Sequence, residues 1–289
     1  SNTKTIKICE SVTGKDSIVL DVPFEKSDIA VKYLAGQLED LTRRLENASG
    51  RKMDKASLAE AIERSNRVRE LLIEINQMRV SPFSPLEGSS ALGFMFPTYL
   101  LIGSMRAVEF YSRLCSEMKE KITAIENNGH NGEQPKKKTR VLWLELKPYF
   151  KNDFIRKLER EQNVKIVFEE TNYVYWDKMD PENPYESLAK KLISNQYNGP
   201  LERRIEVIKM LAKKYKVDGV VVFSSWGCRR NNAAVPTIKR ELNREGFPLI
   251  NLDGDCIDDS NYMPGQFSTR IEGFLEMLCN KKQETACSL

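Results

Sequence analysis

Histidine, paired cysteines, long apolar runs and charge of one sign are all scarce in this chain, and each shortage removes a class of function. The single histidine, His130, sits in the polar stretch NNGHNGEQPKKK, so a Ser-His-Asp triad or a His-rich zinc site fails on supply alone. Six cysteines, at 9, 115, 228, 256, 279 and 287, include no CxxC pair, and their wide spacing reads as reduced thiols in a cytoplasm rather than a disulfide framework. The longest apolar stretch, LGFMFPTYLLI at residues 92–102, is too short to span a bilayer and is interrupted by Pro97, so no membrane partner is expected. With 45 basic and 41 acidic residues the net charge is only +4, and outside the run at 136–140 the Lys and Arg are dispersed among Glu. A basic stripe interleaved with aromatics is missing, which argues against nucleic acid as a partner. Neither GxGxxG nor GxxxxGK[ST] occurs, which removes the dinucleotide fingerprint and the P-loop.

What is present is organised around VDGVVVFSSWGCRRN, residues 217–231. Its Val-rich first half reads as a strand buried on both faces, as in parallel sheets. The serines, tryptophan and glycine that follow carry the chain off that strand and place Cys228 just beyond its carboxyl end, the edge at which open α/β sheets bind ligands. A loop thiol of no special role is the competing reading.

Upstream, TIKIC and SIVLDVP look like two short strands. Two strands cannot close a core, so the sequence reads as starting inside a domain, residues 1–24 being the tail end of an N-terminal α/β domain. Ser27 is a plausible N-cap for a helix carrying Leu34, Leu38, Leu41 and Leu45 on one face. Asp54 announces a second helix with Leu58, Ile62, Leu72 and Ile75, and the two are expected to lie antiparallel. Asn66 and Arg69 interrupt that stripe and are expected to be solvated or paired. The segment at 92–102 leads into a helix at 105–125 that packs Cys115. Residues 25–126 thus form a helical region, and 127–139, polar and glycine-containing, a linker to a C-terminal α/β domain at 140–280. There strands at 140–146, 164–170, 217–223 and 247–253 alternate with helices at 151–162, 185–194, 200–215, 232–244 and 265–278, ahead of a tail at 281–289. The fold class is α/β: a helical middle region plus a four-stranded, mostly parallel sheet covered by helices on both faces. The acidic turn LDGDCIDDSNY offers carboxylates to a divalent cation, but its spacing is not that of an EF-hand, and a strand-terminal turn uses the same side chains for backbone bonds.

The order VDGVVVFSSWGC, a helix, then PLINLDGDCIDDSNYMPGQFSTRIEGFLEML resembles the carboxyl-terminal part of the 2-hydroxyacyl-CoA dehydratase family, whose relatives include benzoyl-CoA reductase subunits and double-cubane cluster proteins. STRIEGFLEML is the most specific piece, and LEDLTRRLENASGRKMDKASLAEAIERSNRVREL is similar too. The resemblance runs from about Ile6 onward. It implies a subunit that holds a four-iron four-sulfur cluster (or a double-cubane cluster) through three cysteines on strand-end loops. Cys228 matches the last of these positions and Cys9 the second. The first is expected upstream of residue 1, so the 289 residues are expected to be part of a longer chain. Those residues alone are expected to hold a cluster poorly, with Cys9 and Cys228 facing a common cleft. Soft thiolates from separate strand ends suit such a cluster. The resemblance further implies a second subunit of similar fold in a homo- or heterodimer, an ATP-hydrolysing iron-sulfur activator protein as electron donor, and an acyl-CoA substrate from which water is eliminated by a radical route. A reductase of small molecules is the rival within the family, and a cluster-free α/β binding subunit the rival outside it. Cys256 matches no ligand position, and Cys279 and Cys287 are expected at the surface.

Overall fold

The computed structural model describes residues 2–127 and 138–287. Its elements in chain order are α1 (Asn2–Thr13), α2 (Asp28–Ser49), α3 (Lys55–Met78), α4 (Gly88–Ala91), α5 (Met95–Leu101), α6 (Met105–Asn127), β1 (Thr139–Leu144), α7 (Phe154–Glu161), β2 (Val164–Glu169), a 3-10 turn (Glu170–Asn172), α8 (Pro184–Ser194), α9 (Leu201–Lys214), β3 (Gly219–Ser225), α10 (Arg229–Arg244), β4 (Leu249–Gly254) and α11 (Pro264–Cys287). Most of the expected linker, His130 with it, lies outside the described residues, as does the side chain of Cys287. The contacts divide the chain into two units, residues 1–63 with 175–199, and residues 64–174 with 200–289.

In the first unit the Ser27 side chain accepts from the Ala30 N–H, capping α2, and Gly50 ends that helix in the left-handed region at φ 67°. The apolar stripe of α2, with Ala30, Val31, Leu34, Ala35 and Leu38 buried, packs against Ala189 and Ile193 of α8. From the sequence α3 is the expected neighbour of α2; the partner seen in this cluster is a helix far along the chain. Leu20 and Val22 close the same cluster.

TIKIC is not a strand. It lies within α1, where Lys7 pairs with Glu10 at 2.7 Å and the Thr13 hydroxyl donates to the Cys9 carbonyl at 2.7 Å. The described strands all belong to one sheet in the second unit, so this segment has no strand to pair with. A helix satisfies its backbone internally where a lone strand leaves it unpaired. SIVLDVP likewise forms no strand.

In the second unit four strands run parallel in the order β2-β1-β3-β4. Because side chains alternate along a strand, Val220 and Val222 enter one core with residues of α9 and α10, while Val221 and Phe223 enter another with residues of α7 and α11. Both faces of β3 are thus dry, as its unbroken apolar run predicts, and each fully buried side chain of this size contributes about 1.5–3 kcal/mol. A β-carbon on Gly219 would stand 2.8 Å from Phe274 Cζ, so this glycine lets α11 lie close to the sheet. Buried Glu159 accepts from the N–H groups of Gly88, Ser89 and Ile166, tying α4 to β2. The Cys115 side chain is buried in α6, as expected. Beyond Leu278, α11 continues to Cys287, through most of the expected tail.

Candidate functional site

The carboxyl edge of the parallel sheet collects several buried charged side chains. At the end of β2, Glu169 and Glu170 are both fully buried and each meets its own arginine. Arg79, 2% exposed, donates from Nη1 and Nη2 to the two oxygens of Glu169, each at 2.7 Å. Asn172 adds a bond to Glu169 at 2.9 Å and itself reaches the Ala91 carbonyl, while Asn76 donates to the Asn172 carbonyl. Such a closed, paired network is structural in character.

The second pair differs. Arg204 of α9 donates from Nε and Nη2 to Glu170, at 2.7 and 2.8 Å, and from Nη1 to Asn231 of α10 at 3.1 Å. Its Nη2 is also 2.7 Å from Oε1 of Glu145, the residue that follows β1. Glu145 has φ 68°, in the left-handed region that a β-carbon disfavours. Burial pushes its carboxyl up to about 7, with Glu170 adding to the rise and Arg204 and Arg230 opposing it.

At the end of β3 the chain turns through Trp226 and Gly227 to Cys228, all exposed, and α10 begins at Arg229. The backbone here is held in place: the Trp226 N–H donates to the Gly254 carbonyl at 3.0 Å and the Cys228 N–H to the Ser225 carbonyl at 2.9 Å, while the Asn232 side chain holds that same carbonyl. Cys228 is thus where the sequence places it, beyond the strand's carboxyl end, with an exposed thiol in no disulfide. On the adjoining strand's exit lies Cys256, half-buried, its sulfur 3.5 Å from the Ser225 hydroxyl and its carbonyl accepting from the Tyr149 N–H at 2.7 Å. Ser225 therefore touches the backbone of one cysteine and the sulfur of the other. From the sequence, Cys256 in the acidic turn could approach this same edge but matches no ligand position; the β3-β4 pairing and its contact with Ser225 place it there.

The acidic turn uses its carboxylates as expected of a turn. Asp255 accepts from the Asp258 and Ile257 N–H groups, and Asp258 from the Ser260 hydroxyl and N–H; these bonds hold both carboxyls below their ordinary values. Arg270, in the STRIEGFLEML segment, pairs with Asp253 at 3.0 Å, and Glu272 accepts from Gln162.

Cys9 lies in the first unit, exposed on α1, so the strand-end argument does not apply to it. An iron-sulfur cluster needs converging, uncommitted thiolates. Cys228 is exposed and in no disulfide, but among the described residues no three His, Cys, Asp or Glu side chains gather as a metal-holding group. The described residues therefore do not by themselves make a three-thiolate site. Asn66 is buried, and both it and Arg69 are engaged within the protein.

Comparison with known proteins gives this edge its context. The family described as "2-hydroxyglutaryl-CoA dehydratase, D-component" matches residues 1–278. The (R)-phenyllactyl-CoA dehydratase alpha subunit of Clostridium sporogenes is 24% identical over 92% of this chain and 65% of its own length. For the (R)-2-hydroxyglutaryl-CoA dehydratase subunit alpha of Acidaminococcus fermentans the figures are 23%, 90% and 54%. A benzoyl-CoA reductase subunit of Thauera aromatica is 24% identical over 92% of this chain and 65% of its own length. The chain thus spans between about half and two-thirds of these relatives. With the match running from residue 1 past β3 and Cys228 and into the closing helix, the chain belongs to the 2-hydroxyglutaryl-CoA dehydratase D-component family.

Proposed function

We propose that the chain is a subunit of a 2-hydroxyacyl-CoA dehydratase-type enzyme, which eliminates water from an acyl-CoA thioester after one-electron activation. The observation that carries this reading is the family match over residues 1–278, with Cys228 exposed beyond β3 at the edge where open α/β sheets bind ligands. In this reading Cys228 is a thiolate ligand of a four-iron four-sulfur cluster. Cys9 is a second ligand on the strength of the resemblance alone. When bound, such a cluster supplies one-electron chemistry, while the protein supplies position and electrostatics.

Relatives named as alpha and beta subunits support a second subunit of similar fold as partner. Residues 92–102 give this a surface: Leu92 is buried, while Phe96, Tyr99 and Leu100 are exposed on α5, so the segment is only partly covered within its own unit. No described helix is long and apolar enough to cross a membrane. The ATP-hydrolysing activator and a reducing cytoplasm belong to the same reading. The benzoyl-CoA reductase relative supports a second reading, reduction of an acyl-CoA without loss of water.

Turnover separates the two. The native protein, purified anaerobically with its partner subunit and supplied with an ATP-dependent one-electron donor, is offered a panel of 2-hydroxyacyl-CoA and aromatic acyl-CoA thioesters. Enoyl-CoA formation from a hydroxyacyl substrate is expected. Reduction of the aromatic thioesters alone would favour the second reading, and no turnover of either would overturn both.

A further inference from the structure

Around Arg204 the bonds are shared between two carboxyls, and one of them belongs to a residue held in strained backbone. A single guanidinium faces two carboxyls: Glu170 takes two of its bonds, and Glu145 shares Nη2 at 2.7 Å. The Glu170 side chain is fully buried, whereas that of Glu145 is 16% exposed, so Glu145 is the member of the cluster that solvent or a ligand can reach. The third charged side chain acting on Glu145 is Arg230, from the first turn of α10.

The backbone argues the same way. Glu145 sits at φ 68°, where glycine carries no penalty and a residue with a β-carbon does. A long acidic side chain at such a position is the kind of outlier that points to function.

The topology supplies the location. In the order β2-β1-β3-β4 the chain leaves β1 to form β2 on one side and places β3 and β4 on the other. The exits of β1 and β3 therefore lie at the topological switch point, where open α/β sheets hold their ligands. Glu145 stands at the first exit, and the turn to Cys228 is the second.

We propose that Glu145 is the proton-transfer residue of this sheet edge, with Arg204 positioning its carboxyl. The substrate, a 2-hydroxyacyl thioester, rests on the reading above. The one-electron donor of the reading above first adds an electron to the thioester carbonyl. As the reduced thioester expels the hydroxyl and the carbon–oxygen bond breaks, the Glu145 carboxyl gives that hydroxyl its proton, leaving water, a carboxylate and a neutral radical next to the carbonyl. The radical acidifies the neighbouring carbon–hydrogen bond, the carboxylate takes that proton, and the bond's electron pair completes the double bond as the extra electron is passed on. The electron is recycled, the proton returns to Glu145, and the residue ends as it began. A carboxyl raised to about 7 by burial is suited to both steps near neutral pH.

The test joins a titration to kinetics. Protein labelled with carboxyl-13C glutamate is titrated by NMR, and Glu145 is assigned as the resonance lost in Glu145→Gln. A midpoint near 7 is expected, and a midpoint in the ordinary carboxylate range overturns the proposal. In the complete enzyme, Glu145→Gln should lower kcat by about 10²-fold or more with little change in KM and remove the pH-profile limb near neutrality, while Glu145→Asp recovers part of the rate. Glu145→Gly separates this from a structural role: it relieves the backbone, so the fold should hold or gain in Tm while the rate falls as in the Gln variant. A Gly variant as active as wild type overturns the proposal. If the wild-type enzyme turns over no hydroxyacyl thioester, the substrate reading fails, and the NMR midpoint still decides whether Glu145 carries the proton.

Discussion

Replacing Glu145 with glutamine should change how stability depends on pH, in a direction the structure fixes. The carboxyl is raised from 4.5 to about 7, so the folded state binds this proton more tightly than the unfolded chain. Its contribution is fully present below about pH 4.5 and is lost as pH rises through about 7, because the unfolded chain releases the proton first. At 1.36 kcal/mol per unit the full loss is about 3 kcal/mol, an upper value for a side chain that is 16% exposed. Glutamine is neutral throughout and keeps an oxygen for Arg204, so it lacks this slope. Other groups titrate alike in both proteins and cancel in the difference. Urea unfolding of the two at fixed ionic strength from pH 4.5 to 8.5 should show Glu145→Gln gaining on wild type by up to about 3 kcal/mol, then levelling off. A difference independent of pH, or one that shrinks as pH rises, would refute the reasoning.

Other substitutions probe the frame around the site. Arg79→Ala leaves the fully buried Glu169 carboxylate without its bidentate partner and should cost about 3–5 kcal/mol in urea unfolding; a loss under about 1 kcal/mol would mean the pair is dispensable. Gly219→Val drives a side chain toward Phe274 and Leu278, 2.8 and 2.9 Å from the β-carbon, and should cost about 1–3 kcal/mol, seen as a lower Tm. Leu100→Lys, at a position 76% exposed, should leave stability within about 0.5 kcal/mol. The same change should weaken subunit association in sedimentation runs, and unchanged association would remove α5 from the interface.

The parts of the fold that were legible in the sequence are those set by local pattern. Ser27 and Gly50 frame α2, and the Val-rich run at 217–223 marks the central strand because both of its faces are dry. TIKIC misled because β-branched residues favour a strand only where another strand pairs with them, and none of the described strands does. The partner of α2 could not be read because α8 lies more than a hundred residues away, and an apolar stripe does not say what covers it. In the site, Cys228 was legible from its place after a buried strand. Glu145 was not, since its left-handed backbone and its sharing of Arg204 with Glu170 arise only when three separate elements meet. The nearest local signal was an acidic residue near the end of the apolar strand RVLWLEL, which a sequence reading takes as an ordinary strand end.

The central claim, that the turn after β3 is a cluster-ligand position of a dehydratase-type subunit, is tested most directly by iron. The native protein and its Cys228→Ser variant are purified anaerobically with the partner subunit, and iron and acid-labile sulfide are assayed per chain. Because the Cys228 side chain is exposed and its loop is held by backbone bonds, the variant should fold as wild type does. The account predicts a brown wild-type protein containing iron and sulfide, and a folded variant that has lost them. Equal iron in both proteins, or none in either, would contradict it.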